Sequence, residues 1–420
     1  MDVDLLRSGP NLTPMRHIVP LVAALLILSA CSPDAGDDGP PMGPGTTAPP
    51  PVGATTTMQP SAPLAGLELA LIAEGFDQPT YATALPGDDR IFVLEKTGLI
   101  RILRDGVVAA EPFLDLSAEV STEGPEQGLT ALAFHPRYEE NGRLFVFFTD
   151  IAGDSQLFEY RRSGDNPDAA DPRSGRRILE LEQPHPAHQA GALVFGPDGY
   201  LWVTLGDGGI PSPKGTDWRS KAQDPANWYG TVLRLDIDAA SPYAIPPDNP
   251  FASGEDGAPE VWAYGFRNPW RVAMDRDHIL ISDVGQDWWE EVNTIPLNEP
   301  GGNYGWPILE GPECFEAETC DATGLIEPSL VEYHEGLCAI IAGPVYRGPS
   351  IPELHGHQFY SDYCVGWIRS WAYAEGVQSG TDWTGDLGTI GNASSLGVDG
   401  NGEILIMNLA GDLYRIVPVR

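Results

Sequence analysis

Six times between residues 81 and 417 the chain repeats one unit: an apolar β-prone run, a polar turn and a second β-rich run. The units are YATALPGDDRIFVLEKTGLIRIL (81–103), ALAFHPRYEENGRLFVFFTD (131–150), PAHQAGALVFGPDGYLWVTLGDGG (186–209), RVAMDRDHILISDVGQD (271–287), LHGHQFYSDYCVGWIRSWAY (354–373) and LGVDGNGEILIMNLAGDLYRIV (396–417). Further short β-prone runs follow several of them, as at 231–236 and 413–417. One four-stranded sheet of this size cannot bury both of its faces, so successive antiparallel units have to stack radially around a channel. The expected fold is therefore all-β, a six-bladed β-propeller over 67–420. An array of β-sandwiches is the alternative, but no internal linker interrupts the repeat. The 48 Gly and 40 Pro among 420 residues suit many short strands better than long helices.

The third unit carries an unusual pair. Gly196, Pro197, Asp198 and Gly199 form a turn in which Pro presets φ, Asp can close an Asx-turn and Gly permits positive φ. Pairing Phe195 with Tyr200 and extending that antiparallel register outward sets His188 directly opposite Asp207, at the open end of the hairpin. A carboxylate beside an imidazole fixes its tautomer and makes it a better base, which is what general-base chemistry needs. A histidine satisfied by hydrogen bonds in a crowded turn is the bland alternative. The other units weigh against it. Around the turn at 275–278, Arg267 faces Gln286 and Asn268 faces Gly285, at the same phase of another blade. The segment PEQGL brings Glu126 and Gln127 near Thr149 and Asp150, again at that end. Blade ends converge on a propeller axis, so these residues would line one polar mouth.

The N-terminal region reads as targeting. Met15, Arg16 and His17 precede an apolar run at 18–30, too short to span a bilayer and suited to a signal-peptide core, with Met15 a possible true start. LSAC at 28–31 closes that run as a lipobox. Residues 1–31 are thus expected to be a signal peptide, with Cys31 lipidated and anchoring an exported protein at the outer membrane, facing the periplasm or the cell surface. Residues 32–66, rich in Pro, Gly, Thr and Ala, read as a disordered tether. The lipid is the expected membrane contact: with 60 Asp and Glu against 24 Lys and Arg, the formal charge is −36, which repels anionic bilayers and phosphate backbones. Nucleic acid is therefore not an expected partner. Neutral substrates and Ca²⁺ are compatible with such a surface.

Cys314, Cys320, Cys338 and Cys364 remain, an even number for an exported domain. Proximity favours pairing Cys314 with Cys320 and Cys338 with Cys364, the longer loop contributing on the order of 3 kcal/mol. A four-cysteine zinc site is the rival, but the spacing lacks paired C-x2-C knuckles. His135, His334, His355 and His357 have no partner by register and are expected in turn or surface roles. No P-loop or dinucleotide-binding GxGxxG is present.

Taken together, EQGLTALAFHP, HQAGALVFGPDGYLWVTLGDGG, GFRNP, DVGQDWWEEVN, GGNYGWP, AGPVYRG and YSDYC resemble the glucose/sorbosone dehydrogenase family, soluble quinoproteins that use pyrroloquinoline quinone (PQQ) and Ca²⁺ on a six-bladed propeller. The resemblance implies PQQ-dependent oxidation of a small-molecule sugar, an aldose, with an external electron acceptor. It implies His188 as general base, Asp207 as its orienting partner and Arg267 stabilising charge on the quinone oxygen, with Asn268, Glu126 and Gln127 beside the cofactor. Carbonyls of Gly285 and Gln286 match positions that hold the cofactor's Ca²⁺. Glu290, Glu291 and Tyr304 fall where some relatives bind a second Ca²⁺, a solvated acidic loop being the alternative. Four departures stand out: Glu126 stands in the place of a glutamine, with Gln127 following; Cys364 occupies the place of a lysine, and Ile390 and Asn392 the places of two arginines, that grip the cofactor's carboxylates. This pattern is also similar to the hedgehog-interacting-like branch, so a non-catalytic propeller that binds carbohydrate or protein at the cell surface is the rival reading.

Overall fold

A computed structural model of the chain describes residues 62–209, 219–334, 338–375 and 380–420. The expected signal peptide, Cys31 and the tether up to residue 61 lie outside them.

Six antiparallel sheets, five of four strands and one, blade 1, of five, are arranged as a β-propeller. Their inner strands are Pro79–Thr83, Leu129–Phe134, Ala190–Phe195, Pro269–Asp275, Ile340–Val345 and Ala393–Val398, for blades 1 to 6 in order. Each inner strand touches the next, and the last touches the first, so the ring closes. Closure is also sewn along the chain: Gly66–Ala73 forms the outer strand of blade 6, pairing antiparallel with Leu413–Val419. That strand was not anticipated, because its partner lies at the other end of the sequence.

In blades 1, 2, 3 and 6 the second strand is largely apolar because both of its faces are buried. In Ile91–Glu95 of blade 1, Phe92 and Leu94 enter the core shared with blade 2, while Ile91 and Val93 enter the core shared with blade 6. In Arg143–Thr149 of blade 2, Leu144, Val146 and Phe148 face blade 1, and Phe145 and Phe147 face blade 3. The period-2 alternation of a strand therefore serves two interfaces at once.

The register departs instructively from expectation. In blade 3 the pairs run Phe195 with Leu201 and Leu193 with Val203, one residue off, until a bulge between Ala190 and Leu193 returns Ala190 opposite Leu205. The bulge cancels the slip before the strand ends, so His188 still meets Asp207. Blade 4 keeps the expected pairing of Asp275 with His278 but slips between Arg271 and Pro269. The Asn268 carbonyl accordingly accepts from the Val284 N–H at 3.2 Å and not from Gly285.

Candidate functional site

The segments before the inner strands of blades 2 to 5 and after the second strands of blades 1, 4, 5 and 6 converge on a cavity of about 400 Å³ at one mouth of the propeller. This volume lies within the range of small-molecule pockets, about 300–1,000 Å³. His188, Arg267, Asn268, Glu126, Gln127, Gly285 and Gln286, all singled out from sequence, line it.

His188 is positioned by four groups. Its Nδ1 lies 2.7 Å from Asp207 Oδ1, and Asp207 is fully buried. Behind the pair, Gly209 N–H donates to Oδ1 at 2.8 Å and Trp306 Nε1 donates to Oδ2 at 2.8 Å. The Asp207 N–H donates to the Arg267 carbonyl at 2.8 Å, tying blade 3 to blade 4. With the carboxylate accepting at both oxygens, Nδ1 carries the proton and Nε2 keeps its lone pair. Nε2 has no partner among the described residues and His188 borders the cavity. The backbone at His188 is left-handed, φ 59°, a conformation that needs outside support in a non-glycine residue. Glu126 supplies it: Oε2 accepts from the N–H groups of His188 at 2.8 Å and Gln189 at 3.3 Å, and from Asn268 Nδ2 at 3.2 Å. Instead of staying near Thr149 and Asp150, this carboxylate therefore links blades 2, 3 and 4. Gly206 permits the close approach, since a Cβ there would sit 1.9 Å from the His188 carbonyl oxygen.

Arg267 is held in a fixed fork. Its Nη2 and Nε donate to Gln286 Oε1 at 2.7 and 3.2 Å, and Nη1 donates to the Val284 carbonyl at 2.7 Å. Asp283 accepts the backbone N–H groups of Arg267 at 2.9 Å and Asn268 at 2.6 Å. Burial pushes the Asp283 carboxyl upward, against those donors and the Arg267 charge. Gln127 Oε1 accepts from Gly124 N–H at 2.8 Å and Ser121 Oγ at 3.2 Å, shaping the loop that enters blade 2.

The second Ca²⁺ set does not come together. Glu290 Oε2 accepts from Gly285 N–H at 3.3 Å and Ile340 N–H at 2.9 Å. Glu291 is turned elsewhere, accepting from Gly311 N–H at 2.5 Å and Asn293 Nδ2 at 3.2 Å, and burial followed by the Asp283 charge pushes its carboxyl upward. Tyr304 stacks on Phe266 at 4.7 Å. Neighbouring strand residues point to opposite faces, which is why the two glutamates separate. They are also buried, so the solvated acidic loop is not found either. No cluster of three or more His, Cys, Asp or Glu suited to a metal occurs among the described residues. The turn at Gly285 is instead organised by Glu310, whose Oε1 accepts the N–H groups of Gln286, Asp287 and Trp288 at 2.6, 2.7 and 3.0 Å.

Both disulfides form as expected, Cys314 with Cys320 and Cys338 with Cys364. Cys338 lines the cavity, whereas Cys364, Ile390 and Asn392 do not. Ile390 is buried in the core between blades 5 and 6, and Asn392 adopts φ 57°. Sequence reasoning passed over Trp306, which lay inside a quoted motif, and Lys96, Trp270, Arg271 and His334, which line the cavity. His334 is thus no surface residue: its Nδ1 lies 3.0 Å from Glu290 Oε1, and that carboxylate holds the imidazole above its ordinary range. His135 is also buried, with Nδ1 2.9 Å from Asn141 Nδ2 and Nε2 3.3 Å from Asp238.

Fold and mouth together define a six-bladed propeller with a cavity of small-molecule size at one mouth. The chain belongs to the glucose/sorbosone dehydrogenase family, whose sequence profile matches residues 76–371. It is 30% identical over 394 residues to the HIPL2 protein of Arabidopsis thaliana, covering 73% of this chain and 55% of that one. It is 33% identical over 315 residues to the Hedgehog-interacting protein of Homo sapiens, covering 69% and 42%. The chain thus spans about half the length of these curated relatives. The PQQ-bound aldose sugar dehydrogenase of Streptomyces coelicolor shares the fold, with TM-score 0.66 at 20% identity over 85% of this chain and 100% of that one.

Proposed function

We propose that this protein oxidises an aldose sugar with PQQ and that His188 is the general base. The observation that carries the reading is the free Nε2 of His188, fixed from behind by Asp207 and facing a cavity it shares with Arg267. Bound in that cavity, PQQ would supply a two-electron acceptor for hydride, to be reoxidised by an external acceptor. Nε2 takes the proton from the sugar hydroxyl, and Asp207 stabilises the imidazolium that results. The Arg267 guanidinium, held by Gln286 and the Val284 carbonyl, offers a preorganised positive charge where negative charge develops. Lys96, Asn268 and Gln127 add donors that suit a polar, carboxylate-bearing cofactor. The carbonyls of Gly285 and Gln286 would hold a Ca²⁺, a hard ion that prefers oxygen.

A second reading, a non-catalytic propeller that binds carbohydrate or protein, is favoured by the exclusion of Cys364, Ile390 and Asn392 from the cavity lining. Reconstitution with PQQ and Ca²⁺, followed by dye-linked assay over a panel of aldoses, separates the two. Sugar-dependent dye reduction is expected. Its absence, with no quinone bound, leaves the binding module.

The same proposal includes export and anchoring through Cys31, supported by two disulfides that suit an oxidising compartment. Cys31→Ser should move the protein to the soluble fraction, and unchanged membrane retention would count against the anchor.

A further inference from the structure

Among the described residues, Arg271 has no counter-ion within 4.0 Å. It lies on the inner strand of blade 4, is 4% exposed, and borders the inner end of the cavity with Trp270, Thr80, Thr130 and Ser394. Its guanidinium donates to carbonyls of three other inner strands: Thr80 in blade 1 at 2.6 Å, Thr130 in blade 2 at 3.4 Å and Ser394 in blade 6 at 3.5 Å. The rings of Trp270 and Tyr81 lie 5.0 and 5.5 Å from it. Nε is buried without an acceptor. Burial lowers the affinity of the group for its proton, down to about 10, so it stays charged at neutral pH. Carbonyl dipoles compensate such a charge only in part, and an unpaired buried ion is costly.

The rest of the cavity has the same sign. Lys96 donates to the Gly124 and Pro125 carbonyls at 3.0 and 3.1 Å and pairs with no acid among the described residues. Among the described residues, Lys96, Arg267 and Arg271 line this one cavity, whereas Glu126 is the only Asp or Glu that does. Glu126 Oε2 is moreover engaged by three donors. On a protein with a net charge of −36, the side chains lining this cavity are cationic on balance, with Asp207, Asp283 and Glu290 standing behind His188, Arg267 and His334.

We infer that the cavity floor is an anion site, in which Arg271 and Lys96 supply the countercharge for a carboxylate of the bound small molecule. The inference concerns the charge of the occupant and does not require that the occupant be a quinone.

Calorimetric titration with benzene-1,3,5-tricarboxylate and with its uncharged trimethyl ester tests it. The acid should bind, more weakly as salt is raised, and the ester should not. Arg271→Met and Lys96→Met should each weaken the acid by about tenfold or more, with Arg271→Lys retaining part of the affinity. Arg271 also ties inner strands together, so Lys96→Met decides the matter if Arg271→Met fails to fold. Failure of the acid to bind at millimolar concentration, equal binding of acid and ester, or undiminished binding by Lys96→Met would overturn the inference. Because the probe carries no quinone, a protein that binds the acid yet oxidises no aldose loses the enzymatic reading and keeps this one.

Discussion

The two sides of the cavity are built by different chemistry. Blades 1 to 4 contribute Lys96, Glu126, His188, Arg267 and Arg271, each fixed by hydrogen bonds to carbonyls, N–H groups or carboxylates of another segment. Blade 5 contributes Cys338, Ala339, Ile341 and Tyr363, and blade 6 Ser394 and Leu409, a largely apolar side cross-linked by the Cys338–Cys364 disulfide. Cys364, Ile390 and Asn392, the positions that the resemblance assigns to gripping a cofactor's carboxylates, do not line the cavity. Among the described residues no hydrogen bond joins Lys96, Glu126, His188 or Arg267 to Cys338, Ala339, Ile341, Tyr363 or Leu409, so the first side is held independently of the second except at Arg271, which donates to the Ser394 carbonyl of blade 6. A ligand with an acidic group would then orient toward the floor and toward blades 1 to 4.

Three substitutions probe that division. His188→Ala should have the largest effect, lowering turnover by about 10² to 10⁴ while quinone binding stays as in wild type. Loss of quinone binding together with activity would show that His188 supports the cavity and not the reaction. On the other side, Cys338→Ser with Cys364→Ser opens a covalent loop between positions separated by 26 residues. Stability should fall by about 3 kcal/mol, read by denaturant unfolding. An unchanged midpoint would mean that packing alone holds the apolar side. The smallest effect is expected from Trp306→Phe, which keeps the ring but deletes the N–H on Asp207 Oδ2. A buried acceptor left unpaired costs about 1–3 kcal/mol, so turnover should fall by about tenfold, with the substrate KM little changed. An equal loss in KM alone would remove Trp306 from the chain of positioning residues.

What could be read from sequence was what depends on local period and turn chemistry. The His188–Asp207 pair was legible because both residues flank one hairpin, and a compensating bulge preserved their meeting despite a wrong turn register. Arg267 beside Gln286 was legible for the same reason. Contacts between blades were not. Glu126 was assigned to its own blade, yet its carboxylate lies on His188 and Asn268, a crossing no hairpin register can reveal. Trp306 reaches Asp207 from 99 residues away. Arg271 read as an ordinary strand residue, since only closure of the ring shows that its position is the axis. The divergence of Glu290 and Glu291 was implicit in strand alternation, but placing them required knowing that both of their strand's faces are buried.

The most direct test of the central claim is a single-turnover experiment on the wild-type domain loaded with PQQ and Ca²⁺. An aldose is mixed in without any external acceptor while the quinone absorbance is followed. The account predicts that sugar bleaches the oxidised quinone in one phase, fast in wild type and slowed by about 10² or more in His188→Ala at equal quinone occupancy. A loaded domain whose quinone no aldose reduces, or whose reduction rate is the same in His188→Ala, would contradict it.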